Sequence, residues 1–275
     1  MTRPPTRTKV AITRNPDSGL PVVGKKTARH ATARVGTSGW SHREWLGGFY
    51  PKGTSPGSFL AYYAQRIAGV ELNATAYGLP NPVYLERWSV TVPSHFRMAI
   101  KAPQRITHIK RLRDCDNDLR EFMTAMQPLG NLRGPFLFQL PPSLVIDVGL
   151  LTAFLELVKP LAEGLPVVFE FRNPSWYVED IFHVLDKAGA ACCVHDMRGS
   201  ELTEPRTTGL LYLRRHGTGA RYAGAYSPEQ IAADALLMTQ HMASGQDVYA
   251  FFNNTMDGSA IENAEQLQGL VMSGH

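Results

Sequence analysis

Cysteine is scarce in this sequence. The 275 residues include three cysteines, and two of them, Cys192 and Cys193, are adjacent. Three cysteines do not make the even-numbered framework of a disulfide-stapled domain, and no Cys-x-x-Cys pair of a zinc site is present. The scarcity of cysteine therefore predicts a protein of a reducing compartment, and we expect it in the cytoplasm.

Long apolar runs are missing as well. The best candidate for a membrane span, residues 134–158, is interrupted by Gln139, Pro141 and Asp147. A transmembrane helix needs about 20 predominantly apolar residues, so the sequence predicts no membrane partner. The first 33 residues also lack the apolar core of a secretory signal.

Acidic residues are nearly absent from the start of the chain. Residues 1–33 hold seven Lys or Arg and one Asp, which gives this stretch a charge of +6. The whole chain carries +4, so residues 34–275 carry −2. The basic character belongs to the extension, and a general nucleic-acid fold is not implied. We predict a disordered basic extension over residues 1–33 and one folded domain over residues 34–275.

Apolar, strand-like segments alternate with amphipathic ones over the rest of the chain. We predict eight strands, at Arg34–Trp40, Gly69–Asn73, His95–Lys101, Gly134–Leu140, Pro166–Arg172, Ala190–Asp196, Leu210–His216 and Val248–Asn253. We predict seven helices, near Ser58–Ala68, Asn81–Val90, Asp116–Leu129, Asp147–Leu161, Trp176–Ala188, Ser227–Ser244 and Ser259–Leu270. Segment Met197–Gly209 is loop-like and replaces a helix. This alternation favours parallel pairing, and eight strands favour a TIM-type (β/α)8 barrel, with an open doubly wound sheet as the alternative.

Several predicted strands begin apolar and end polar. In the stretch from Val70 to Tyr77, one face carries Glu71, Asn73, Thr75 and Tyr77. In a parallel barrel the carboxyl ends of the strands build the active site, so we expect these side chains to face a cavity at that mouth. The candidate catalytic residues are Glu71, Glu170, Asp196 and His216. The candidate substrate-binding residues are Trp40, Asn73, Lys101, His108, Gln139, Arg172, Arg214, Asn253 and Asn254.

The charged candidates allow two interpretations. A carboxylate whose pKa is raised by burial serves as a general acid or base, and a cation beside it binds a phosphate or carboxylate group. Alternatively, Lys101, Arg172 and Arg214 pair with the three carboxylates and keep them ionised as a structural network. Composition and spacing leave both interpretations open.

A divalent metal is the less favoured alternative. His108, His195 and His216, together with the candidate carboxylates, are suitable ligand types. Neither a His-Glu-x-x-His nor a Cys-x-x-Cys motif is present, and the nearby cations oppose a metal. We therefore assign no metal ligand, and the sequence does not determine whether the protein uses a cofactor.

Ordered motifs connect the chain with a known family. In chain order they are Gly36-Thr37-Ser38-Gly39-Trp40, Phe49-Tyr50-Pro51, Val70-Glu71 with Asn73, Lys101-Ala102-Pro103, Phe138-Gln139-Leu140-Pro141-Pro142, Glu170-Phe171-Arg172, Arg214 with His216-Gly217, and Phe252-Asn253-Asn254. Over about residues 34–270 the chain resembles the YecE-like family, the domain of unknown function numbered 72. The resemblance implies a TIM-type barrel and supplies no established reaction.

Two functions follow from these observations. The first is an enzyme, hydrolase-like, phosphoesterase-like or isomerase-like, that acts on a small phosphorylated or otherwise anionic substrate at the barrel mouth. The second is a non-catalytic barrel that binds nucleic acid or another ligand through the basic segment Arg97–Arg113 and an aromatic wall that includes Trp40, Trp45 and Tyr50. The same aromatic residues equally suit a hydrophobic plug. The −2 charge of residues 34–275 favours the enzyme, and the sequence does not determine the oligomeric state.

Overall fold

The computed structural model describes residues 31–73, 78–219 and 222–273. The predicted basic extension, residues 1–33, falls almost wholly outside these ranges, as do Thr75 and Tyr77. The strands in the described residues are β1 Ala33–Ser38, β2 Gly69–Leu72, β3 Arg97–Lys101, β4 Arg133–Gln139, β5 Val167–Glu170, β6 Ala191–Cys192, β7 Val194–His195, β8 Leu211–Arg215 and β9 Val248–Phe252.

These strands form one parallel sheet in the order β6-β5-β4-β3-β2-β1-β9-β8-β7. Every strand pairs in parallel with its neighbours in this order. The two strands at the ends of the order, β6 and β7, are separated in the chain by Cys193 alone. The ends of the sheet therefore meet, and the sheet forms a nearly closed barrel. The prediction of a TIM-type barrel is confirmed, and its sixth strand is divided in two at Cys193.

Helices cover the outside of this barrel. They are α1 Phe59–Arg66, α2 Pro82–Thr91, α3 Asp116–Ala125, α4 Val148–Leu161, α5 Glu179–Ala188, α6 Pro228–Ala243 and α7 Ser259–Ser273. All seven predicted helices are present, and residues 197–209 contain no helix, as predicted. A short π-helix at Arg105–Ile109 after β3 was not predicted.

Side-chain caps fix where two of the helices begin. The carboxylate of Asp147 accepts a hydrogen bond from the Leu150 backbone N–H at 2.9 Å at the start of α4. Ser227 and Gln230 form a capping box at the start of α6, with Pro228 in the first helical position. Each cap satisfies a backbone group that the helix itself leaves without a partner. No helix in the described ranges combines the length and apolar character that a bilayer span requires.

The barrel encloses an apolar core of its own. Its buried side chains are Ala99, Leu137, Val168, Ala191, Cys193, Tyr212, Tyr249 and Phe251. Since side chains alternate along a strand, the residues two positions further along share this inner face. The polar ones among them are Lys101, Gln139, Glu170, His195, Arg214 and Asn253. The apolar core thus lies beneath a layer of polar side chains at the carboxyl-end mouth.

The aromatic residues after β1 form a plug. Trp45 and Tyr50 are buried, and the ring of Tyr50 stacks on Phe59 at 4.2 Å between centroids. The Tyr50 hydroxyl donates a hydrogen bond to the Trp40 carbonyl at 2.5 Å. Buried rings of this kind pack the first loop against α1 and are not available to stack on a ligand.

Candidate functional site

A buried ionic network occupies the carboxyl-end mouth of the barrel. Arg214 on β8 donates two hydrogen bonds to Glu71 on β2, from Nε to Oε2 at 2.8 Å and from Nη2 to Oε1 at 2.6 Å. Its remaining nitrogen, Nη1, pairs with Glu170 on β5. Arg214 is 1% exposed and both carboxylates are 0% exposed. One guanidinium therefore joins two buried carboxylates from opposite parts of the barrel.

Glu71 receives two further hydrogen bonds. The Ser38 hydroxyl donates to Oε1 at 2.9 Å, and the Tyr212 hydroxyl donates to Oε2 at 2.9 Å. Burial opposes ionisation of Glu71, but the charge and hydrogen bonds of Arg214 outweigh it and hold the pKa of Glu71 below its usual value. An ionised carboxylate with four donors is suited to a structural role and not to that of a general acid.

Glu170 is surrounded by a second set of donors. Its Oε1 pairs with Nε of Arg172 and accepts a hydrogen bond from Gln139 Nε2 at 3.4 Å. His216 Nε2 lies 3.5 Å from the same oxygen. Burial again opposes ionisation, but Arg172 and Arg214 hold the pKa of Glu170 well below its usual value. Glu170 therefore carries a negative charge at neutral pH.

His216 connects this network to β9. Its Nδ1 lies 3.2 Å from the side-chain nitrogen of Asn253, and its Nε2 lies 3.3 Å from Arg172 Nη2. Burial lowers the pKa of His216 to about 4, with help from the charge of Arg214. The imidazole is therefore neutral at pH 7.

Lys101 and His108 are less deeply buried than Arg214 and the two glutamates. Lys101 is the last residue of β3 and is partly exposed. Burial and the charge of Arg214 lower its pKa to about 8, although Glu170 and Glu71 oppose this shift. His108 is hydrogen-bonded through Nδ1 to the Thr107 hydroxyl at 2.9 Å. Burial and the charge of Lys101 lower the pKa of His108.

Asp196 has a different position from the other candidate carboxylates. Its Oδ1 accepts from the His216 backbone N–H at 2.8 Å, and its Oδ2 accepts from the Tyr226 hydroxyl at 2.5 Å. The Tyr226 oxygen in turn accepts from the Gly217 N–H at 2.7 Å. Asp196 thus anchors the loop between β8 and α6, and through it the backbone of His216.

We expect Asp196→Ala to lower the free energy of unfolding by about 1–3 kcal/mol, because a buried donor and the Tyr226 hydroxyl lose their acceptor. Urea titration measures this change. Unchanged stability, together with loss of ligand binding, would instead assign Asp196 to the ligand site.

The remaining candidates are dispersed around the mouth. Trp40 is buried and packs edge-to-face on Trp88, with 4.9 Å between ring centroids. Asn73 is half-buried, and its Oδ1 has no hydrogen-bond partner among the described residues. The amide of Asn254 donates to the Gly224 carbonyl at 2.9 Å and to Asn263 Oδ1 at 3.1 Å. Asn254 therefore holds loops together outside the ionic network.

A metal ion does not fit this site. Glu170, His195 and His216 each place a potential ligand atom within 4.8 Å of the others. His195 Nδ1 accepts from the Met197 N–H at 3.3 Å, so Nε2 carries the proton and faces the Phe171 carbonyl at 3.1 Å. Both oxygens of Glu170 are already paired with arginines. The side chains here satisfy one another, and two guanidinium groups would repel a cation.

Sequence reasoning missed two residues of this region, Tyr212 and Tyr226. Tyr212 precedes Arg214 by two positions, so strand alternation alone places it on the same face. Tyr226 had no such signal, because it reaches Asp196 from a loop. A cavity of about 250 Å³ adjoins the network at His216 and is lined also by Asp196, Arg198, Gly217 and Tyr222.

The parallel barrel with a polar mouth defines the protein as an α/β barrel of the TIM type. Comparison with known proteins gives its family. The family described as "Protein of unknown function DUF72" matches residues 34–275, and the chain belongs to this family.

Individual relatives agree with this assignment. The UPF0759 protein YecE of Escherichia coli K12 is 36% identical over 107 residues, which are 39% of this chain and 37% of the E. coli protein. The UPF0759 protein YunF of Bacillus subtilis is 24% identical over 269 residues, covering 86% of this chain and 94% of YunF. A crystal structure of a DUF72 family protein from Thermotoga maritima has a TM-score of 0.76 and 27% identity, covering 88% of this chain and 99% of that one.

Proposed function

We propose that the protein is an enzyme whose barrel mouth binds the anionic group, phosphate or carboxylate, of a small substrate. One observation carries the proposal. The network holds three cations, Lys101, Arg172 and Arg214, against two carboxylates, Glu71 and Glu170. The histidine next to them, His216, is neutral at pH 7. The network therefore carries an excess charge of about +1 in a poorly solvated position, which a bound anion would balance.

The three cations divide into two roles. Arg214 uses its three nitrogens on Glu71 and Glu170 and is inaccessible. Arg172 is 9% exposed, and Lys101 is partly exposed at the end of β3. We therefore assign anion binding to Arg172 and Lys101, with His108 and Asn253 beside them, and assign to Arg214 the structural role of fixing the two glutamates. The neutral His216 accepts a hydrogen bond from Arg172 Nη2 at 3.3 Å, and we assign to it the positioning of that guanidinium.

Arg172→Met should weaken the binding of inorganic phosphate by about tenfold or more, because a charge-assisted hydrogen bond contributes roughly 1.5–3 kcal/mol. Calorimetric titration with phosphate and with small carboxylates measures the loss. Arg133→Met is the matched control, since Arg133 begins β4 at the opposite end of the barrel and pairs with Glu163 at 3.1 Å. Equal weakening by both substitutions, or no binding by the unmodified protein at millimolar phosphate, would contradict the proposal.

The alternative of nucleic-acid binding has less support from the basic segment Arg97–Arg113. Lys110 and Arg105 both pair with Asp118, and Arg113 pairs with Asp147 at 3.0 Å. Arg97 donates to two backbone carbonyls at the amino-terminal start of β3. Most of this segment's charge is thus balanced by neighbouring acids or directed away from the mouth. Binding that weakens steeply with salt would favour the alternative.

A further inference from the structure

Lys101 is placed differently from a surface lysine. It follows Ala99 by two residues on β3, so its side chain leaves the strand on the face that lines the barrel interior. Five charged or titratable groups act on it: Arg214, Glu170, Glu71, Arg172 and His108. They come from β2, β5, β8 and the segments that follow β3 and β5, and the Lys101 side chain is partly exposed at the mouth.

This environment lowers the pKa of Lys101, so that more of the amine is neutral than in an ordinary surface lysine. Burial and the two guanidinium groups oppose the positive charge, and the two carboxylates support it, with a resulting pKa of about 8. At pH 7 roughly a tenth of such an amine is neutral, against roughly one in a few thousand for an unperturbed lysine. Lysine side chains that act as nucleophiles are typically desolvated or lie beside other cations, because both conditions lower the pKa of the amine.

We propose that Lys101 is a catalytic nucleophile that forms an imine with the aldehyde or ketone carbonyl of a small anionic substrate. The inference rests on the proposed function, because Arg172 holds the substrate's phosphate or carboxylate group beside the amine. The substrate class is thereby narrowed to anionic carbonyl compounds, such as 2-oxo acids and phosphorylated aldehydes or ketones.

The step balances without any further reactant. The nitrogen of Lys101 attacks the carbonyl carbon, a C–N bond forms, and the carbonyl oxygen becomes the hydroxyl of a carbinolamine. Loss of this hydroxyl as water breaks the C–O bond and leaves a protonated imine. The ammonium form of Lys101 and the carbonyl compound thus give the iminium ion and one water. His108, which interacts with Lys101 and has a lowered pKa, carries the proton from the ammonium nitrogen to the departing hydroxyl.

Other nucleophiles in the described parts of the mouth are less suited to this step. Cys193 is fully buried in the inner core, and burial raises its pKa. Ser38 and Tyr212 donate their hydroxyl hydrogens to Glu71, which is held ionised by Arg214. An arginine at position 101 would bind an anion equally well and would stay charged. Imine formation explains why this position holds a lysine, whose amine can lose its proton.

Borohydride trapping tests the proposal on the full chain. The protein is incubated with pyruvate, glyoxylate or dihydroxyacetone phosphate, reduced with sodium borohydride, and examined by intact mass and peptide mapping. We expect one reduced adduct at Lys101. Acetone, a neutral carbonyl compound, should give at least tenfold less adduct, and millimolar phosphate should suppress the reaction. Adducts spread over many lysines, or equal labelling by acetone, would overturn the proposal.

Two substitutions make the result specific. Lys101→Arg keeps the positive charge but cannot form an imine, so it should abolish the adduct. Lys187→Arg, on the exposed side of α5, should change neither the adduct nor phosphate binding. Adduct formation by the unmodified protein should rise with pH through about 8 and then level off, whereas surface lysines continue to gain reactivity up to about pH 10.

The outcomes separate this inference from the proposed function. Phosphate binding without any trapped adduct would overturn the imine and leave the anion site in place. Absence of both would overturn the anion site as well. A trapped adduct in Lys101→Arg would show that another amine reacts.

Discussion

Replacing Arg214 by methionine should lower the free energy of unfolding by about 3–5 kcal/mol, because it leaves buried carboxylates without their counter-ion. Glu71 loses two hydrogen bonds and Glu170 loses one, and both are 0% exposed. Urea or guanidinium unfolding measures the change. The matched control is Arg113→Met, which removes an ion pair to Asp147 in which Arg113 is 57% exposed. We expect the control to change stability by less than about 1 kcal/mol.

The pH dependence distinguishes a buried charge from a simple packing defect. In the unmodified protein the folded-state pKa values of Glu71 and Glu170 are lowered. Their contribution to stability is therefore present above about pH 4.3, the ordinary value for glutamate, and is lost as the pH falls through the lowered values. Without Arg214, burial raises the pKa of Glu71, so protonation stabilises the variant as the pH falls from 7 towards 5. The difference between the two proteins should narrow over that range. A difference that is constant between pH 7 and pH 5 would show that lost packing, and not charge, causes the effect.

Gly36→Ala should be the second large perturbation. Gly36 lies on β1 opposite Gly69 on β2. A Cβ added to Gly36 would be 1.9 Å from the Gly69 carbonyl oxygen and 3.0 Å from the Tyr63 hydroxyl. Because the nearest atom belongs to backbone, no side-chain rotation relieves the contact, and β1 and β2 must separate. We expect a loss of about 3 kcal/mol or more, at the upper end for overpacking.

A glycine elsewhere in the chain provides the control. Gly269 lies within α7, and an added Cβ there meets no atom within 4 Å. Gly269→Ala should stabilise the protein by about 0.5–1 kcal/mol, since alanine is the better helix former. Thermal unfolding of both variants tests the pair. If Gly36→Ala unfolds at the same temperature as the unmodified protein, the close approach of the two strands is not required for the fold.

Different residues of the ionic network have different roles in the proposed function: Arg214 holds the network together, and Lys101 reacts. Arg214 fixes Glu71 and Glu170, and the charges of both glutamates act on Lys101. A substitution at Arg214 therefore disturbs every assay at once, whereas Lys101→Arg and Arg172→Met each test a separate step.

The amino-acid sequence by itself determined the barrel and the end at which its polar residues collect. Local periodicity determines which face of a strand or helix a side chain occupies. The strands and helices can therefore be predicted from neighbouring residues. The same periodicity places Glu71 with Asn73 on one strand face, and Glu170 with Arg172 on another. The predicted loop after β7 and the caps at Asp147 and Ser227 are equally local. The division of the sixth strand at Cys193 is not visible in the sequence, because it depends on how the barrel closes.

Only the tertiary structure decided how the polar residues divide their roles. Arg214 and Glu71 are 143 positions apart in the chain, and their contact is set by the tilt and stagger of the strands between them. The sequence left open whether the pKa values of the carboxylates are raised or lowered, because burial raises the pKa of a carboxylate and ion pairing lowers it. The distances between the guanidinium and carboxylate groups in the folded protein decide which of the two effects is larger. Arg214 lies close enough to hold both glutamates ionised, Asp196 is hydrogen-bonded to the loop between β8 and α6, and Lys101 lies at the mouth as the last residue of β3.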